Sequence, residues 1–116
     1  MSAKAELQML IERHCETIAG EVAAVSDSLA VLWTSGSAEA VRSSIEHAHK
    51  IVGSSGSIGF PEVSAAAAAL EKALKALPQD DMTPGRRAPI TALLEQLKVS
   101  AASMSPEKST LAKLEL

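Results

Sequence analysis

From Ala3 to about Trp33 the apolar positions recur at helical spacing: Leu7, Ile11, Ile18, Val22, Val25, Leu29 and Leu32. Steps of three, four and seven place these residues on one face of a helix, with polar residues opposite. No proline interrupts the stretch, so it predicts one long helix of roughly 45 Å. Gly20 either bends this helix or divides it in two. Thr34-Ser35-Gly36-Ser37 breaks the pattern, with Ser35 or Ser37 suited to cap the next helix and Glu39 to sit in its first turn.

A second apolar stripe, Val41, Ile45, Ala48, Ile51, Val52 and Ser55, predicts a helix from about Ala38 to Ser55. Gly56-Ser57-Ile58-Gly59 ends it, because glycine readily takes the left-handed conformation of a C-cap. Pro61 suits the first position of a third helix and Glu62 its positive end. Val63, Ala66, Ala67, Leu70, Ala73, Leu74 and Leu77 form that helix's inward face. Pro78 to about Arg87, with Asp80, Asp81, Pro84 and Gly85, reads as a loop. The last main helix begins between Pro84 and Pro89 and carries Ile90, Leu93, Leu94, Leu97, Ala101 and Met104. Ser105-Pro106-Glu107 resembles a cap for one more short helix, and residues 108–116 follow it as helix or loose tail. Four amphipathic helices with short connections specify an all-α fold, an antiparallel up-down four-helix bundle over residues 1–104.

Composition narrows the choice further. The chain of 116 residues holds one domain; 47% of it is apolar, yet there is one Trp, one Phe and no Tyr. Alanine-rich, aromatic-poor sequence favours helices in close contact over sheets. A net charge of −3 provides no basic stripe, so nucleic acid is not an expected partner. No apolar run reaches membrane-spanning length and no signal-peptide pattern opens the chain, so the expectation is a cytoplasmic protein with no membrane partner. Cys15 is the sole cysteine and reads as a packing residue. His14, Cys15, His47 and His49 do not form a metal-ligand framework, so no metal site is expected. His14 reads as a satisfied buried or half-buried histidine and His47 as a surface one. Arg86 and Arg87 read as solvated loop charges.

The richest chemistry lies in Ala-His-Lys-Ile-Val-Gly-Ser-Ser-Gly-Ser-Ile-Gly-Phe, residues 48–60. Gly53 stands four residues after His49, on the same helix face. A glycine inside a helix costs roughly 1 kcal/mol relative to alanine. Its presence there points to something approaching the backbone beside the imidazole. Gly56, two turns on, and Ser54 and Ser57 border the same patch; close packing is the alternative account of the two serines. Ser55 and Ala48 face the core.

This stretch resembles the histidine-containing phosphotransfer domain, the four-helix module of multistep phosphorelays. The resemblance rests on His49, then Gly53-Ser54-Ser55, then Gly59-Phe60, and on Leu70-Glu71 in the next helix, and the helix order agrees over about residues 3–104. It implies that His49 is a phosphoacceptor which exchanges a phosphoryl group with receiver-domain aspartates. Lys50, Gly53, Ser54, Gly56 and Ser57 would meet the partner. A receiver domain and an upstream histidine kinase or hybrid kinase are the implied partners, and a monomer or weak dimer the expected state. No cofactor is expected on this chain; the transfer's magnesium would sit on the receiver. The domain would be a phosphoryl carrier with no ATP-binding site of its own. Many members of that family carry lysine or arginine three residues after the histidine, where this chain has Val52. That departure motivates an alternative, a helical adaptor that binds a receiver or kinase without being phosphorylated.

Overall fold

The computed structural model describes residues 2–77 and 84–114. Helix α1 spans Ala3–Ser35, α2 Ala38–Ser57, α3 Pro61–Lys75 and α4 Pro84–Ala102. Two short 3-10 turns, Pro106–Lys108 and Thr110–Lys113, follow. The α1–α2 and α2–α3 connections are two and three residues long, which forces antiparallel neighbours. Cross-helix bonds show the register directly. Glu21 meets His47 and Ser28 meets Ser43 between α1 and α2, while Glu71 meets His49 and Ser64 meets Val52 between α2 and α3. Helix α4 packs on α3 and closes against α1.

Helix α1 runs unbroken through Gly20, because Ile18 and Val22 on either side are buried and hold it to the bundle. At roughly 50 Å it spans nearly the whole 54 Å length of the molecule. It ends at Gly36, whose φ of 63° is left-handed. Ser37, not Ser35, caps α2, accepting from the Ala40 N–H at 3.0 Å. Helix α2 extends two residues beyond the expected Ser55. Phe60 N–H then donates to Ser55 C=O at 2.8 Å and Gly59 N–H to Gly56 C=O at 3.4 Å. This is the double-bonded glycine cap, with Gly59 at φ 92°.

The core is built from Ile11, Ile18, Val25, Leu29, Leu32, Ile51, Val63, Leu70, Leu74, Ile90 and Leu97. On α2 the fully buried positions include Ala48, Ser44 and Ser55, small side chains that let α1 and α3 approach. The two serines return their hydroxyls to Ala40 C=O and Ile51 C=O of their own helix, so neither hydroxyl is left without an acceptor.

Helix α4 starts at Pro84, the early end of the expected range, so Arg86 and Arg87 are helical and not loop charges. Arg86 and Arg87 belong to its first turn, and the Arg87 guanidinium lies 5.6 Å from the Trp33 ring centroid. Pro84 supplies a helix-ready φ, and Pro89 removes only one helical hydrogen bond near the start. Asp80 and Asp81 lie outside the described residues. The stretch from Ser105 to Leu114 packs against the bundle through its middle. Ser109 is fully buried, its Oγ donates to Ile58 C=O at 2.6 Å, and Thr110 N–H donates to Gly59 C=O at 2.9 Å.

Candidate functional site

Helix α2 turns its polar side outward at His49, whose side chain is 74% exposed. His47, two residues earlier and so on another face, is 27% exposed and bonded through Nδ1 to Glu21 on α1 at 2.6 Å. It is therefore an interhelical pair and not the free surface histidine that its position suggests. His49 has a partner of a different kind. Its Nδ1 lies 2.9 Å from Oε2 of Glu71 on α3.

Glu71 is mostly covered, at 12% exposure, and Lys75 one turn along approaches the same oxygen at 3.0 Å. Burial pushes the Glu71 carboxyl up, but hydrogen bonds from Lys75 and His49, with their charges, outweigh it and hold the group below its ordinary 4.5. An ionised carboxylate only accepts hydrogen bonds, so the hydrogen between the two groups belongs to His49 Nδ1. In the neutral imidazole this leaves the lone pair on Nε2.

Two shallow grooves flank the imidazole. One is lined by Leu10 and His14 of α1, by His49, Lys50, Gly53, Ser54, Ser57 and Ile58, and by Leu111 of the C-terminal segment. The other is lined by Ile45, Glu46, His49, Lys50, Glu71 and Lys75. His49 and Lys50 line both. Of the residues expected to meet a partner, Lys50, Gly53, Ser54 and Ser57 gather here with His49. Gly56 is placed differently: a β-carbon there would stand 3.3 Å from Ser64 Oγ, so its smallness serves the α2–α3 crossing.

At Gly53 a β-carbon would meet no atom within 4 Å. The fold itself therefore has room for alanine, and the bare patch is surface left open. Val52 is half-buried, and its carbonyl accepts from Ser64 Oγ at 2.8 Å, so the usual basic position of the resembling family is turned toward α3 here. Cations reach the imidazole's surroundings from Lys50 and Lys75 instead.

His14 is half-buried as expected, but its Nδ1 is sealed from solvent without a partner, so it is not the fully satisfied histidine foreseen. The Cys15 thiol is pushed up by burial and then by Glu107, Glu12 and Glu16, which favours the thiol over the thiolate. Among the described residues no three His, Cys, Asp or Glu side chains group closely enough to hold a metal ion. No helix among them is long and apolar enough to cross a membrane.

Sequence reasoning noted Glu71 without giving it a role and missed Lys75. Their four-residue spacing marks an ion pair on one helix. Only the rotation of α3 against α2 turns that pair toward His49.

Comparison with known proteins agrees with the helical fold. The model of one family, the Hpt domain, matches residues 6–102. The chain belongs to that family, whose members serve phosphotransfer in phosphorelays and interact with receiver domains and kinases. No curated protein and no solved structure matches it.

Proposed function

We propose that this protein carries a phosphoryl group on His49 Nε2, exchanging it with the aspartate of a receiver domain docked across Gly53. The observation that carries this reading is the pairing of an exposed imidazole with a carboxylate at 2.9 Å that holds the hydrogen on Nδ1. The Nε2 lone pair attacks the phosphorus of an aspartyl phosphate in line. The N–P bond forms as the P–O bond breaks, and the aspartate leaves with the electron pair. Attack draws electron density from the ring, and the Glu71 carboxylate offsets the positive charge that develops on it, as an orienting carboxylate does for a catalytic histidine. Lys50, which lines both grooves with His49, would favour the phosphoryl oxygens where Val52 offers no charge, while Lys75 holds the Glu71 carboxylate. The receiver contributes the acceptor aspartate and its magnesium; this chain contributes a positioned nucleophile on a rigid helix.

The test is labelling from a phosphorylated receiver. Wild-type protein takes up acid-labile, base-stable label, and His49→Gln, with unchanged helical content and melting, takes up none. Undiminished label in that variant rejects His49. The adaptor reading draws on the half-buried Val52 in place of a basic residue. Receiver binding by a wild-type protein that never takes label would select it.

A further inference from the structure

Residues 105–114 lie outside the Hpt match, which ends at residue 102. They are nevertheless built into the end of the bundle that carries the site. Ser109 is fully buried; its hydroxyl donates to Ile58 C=O at 2.6 Å and accepts from Leu111 N–H at 3.1 Å. Thr110 N–H donates to Gly59 C=O at 2.9 Å. The seat is shaped for this segment. A β-carbon at Gly59 would stand 2.5 Å from Ser109 Oγ and 2.9 Å from the Thr110 nitrogen. Gly59 thus serves both the turn that ends α2 and the close approach of the segment.

The segment reaches the site through one side chain. Leu111, half-buried, lines the groove that also holds His49, Lys50 and Gly53, and Leu10 of α1, 44% exposed, lines it too. The groove therefore has apolar residues at Leu10 and Leu111, and polar ones at Lys50, Ser54 and Ser57. A body that brings a reacting atom to within bonding reach of His49 Nε2 does not touch His49 alone. A specific protein interface covers about 800 Å² on each partner, a patch with a radius of roughly 16 Å. Leu111 shares a groove with His49, so it falls inside such a footprint.

We infer that the C-terminal segment is a receiver-selecting element of the docking surface, acting through Leu111, and that the receiver it favours presents an apolar side chain beside its acidic site. The inference rests on the phosphotransfer reading for the identity of the partner. Charge around His49 would attract acidic sites in general. An apolar contact at a fixed distance from Nε2 discriminates among them, because burying a charge or a gap against Leu111 is penalised.

The experiment uses the full chain as wild type, Leu111→Asp and Leu111→Met. Calorimetric titration measures affinity for each member of a panel of unphosphorylated receiver domains. Phosphoramidate, a small phosphodonor that needs no docking, measures the reactivity of His49 separately. The expected result is a loss of about tenfold or more in affinity for the best-bound receiver in Leu111→Asp, the scale of a contact near an interface centre. Leu111→Met stays within about threefold, and phosphoramidate labelling of both variants stays within about twofold of wild type. Wild-type affinity in Leu111→Asp overturns the inference, as does a parallel loss of phosphoramidate labelling or the absence of binding to every receiver. Wild-type protein that binds receivers yet takes label from no donor removes the phosphotransfer reading alone, and the affinity comparison still decides the role of Leu111.

Discussion

At Gly53 and Glu71 single side chains carry consequences that neighbouring positions do not. Because nothing stands within 4 Å of a β-carbon at Gly53, alanine is accommodated and relieves the helix of glycine's flexibility. Gly53→Ala is expected to raise stability by about 0.5–1 kcal/mol in chemical denaturation. Gly53→Arg, which fills the patch, should abolish transfer from a receiver while leaving the fold intact; full transfer in that variant would show that nothing docks there. Glu71 acts on the ring from the far side. Replacing a carboxylate that orients a buried catalytic histidine costs about 10⁴-fold in rate. His49 is exposed, so water takes over part of the task, and Glu71→Gln should lower the transfer rate by roughly 10–100-fold. A changed maximal rate with little change in the receiver concentration needed for half-saturation separates this effect from lost docking.

The helices and their connections explain how those side chains are held. Helix α2 packs through Ala48, Ser44 and Ser55 and so lies close to both neighbours. That closeness lets Glu71 of α3 reach His49 with a short side chain. The turn after α2 is the other fixed point. Gly59 combines a φ of 92° with a β-carbon path blocked by Ser109 and Thr110. Gly59→Ala is expected to destabilise the protein by about 1–3 kcal/mol from backbone strain, with the displaced segment in addition. Hydrogen exchange at the Thr110 amide, now bonded to Gly59 C=O, should accelerate more than at amides in the middle of α1. Equal acceleration throughout would mean that the seat and the bundle unfold as one unit.

For the whole molecule, the Glu71 cluster ties α2 to α3 much as the His47–Glu21 pair ties α1 to α2. The Glu71 carboxyl titrates lower in the folded chain than its ordinary 4.5. The unfolded state therefore binds its proton first as pH falls. The stability it contributes is present above about pH 4.5 and is lost as pH drops through the folded-state value. Thermal melts of wild type and Glu71→Gln should differ near pH 7, and the gap should close below pH 4.5. A gap that stays constant across that range would assign the difference to packing.

Much of this was legible along the chain, and the remainder was not, for a physical reason. The periodicity of Leu7 to Leu32 and of Ile90 to Leu97, the serine cap at Ser37 and Pro61 at a helix start are local features, governed by bonds within a few residues. They determined the four helices, their order and the outward position of His49 next to Gly53. The rotation and axial register of one helix against another depend on how every core side chain packs at once. Only that packing decided that Glu71 and Lys75 face His49, that His47 is taken by Glu21, that Gly56 serves Ser64, and that Ser109 and Thr110 sit on Gly59 with Leu111 lining the groove.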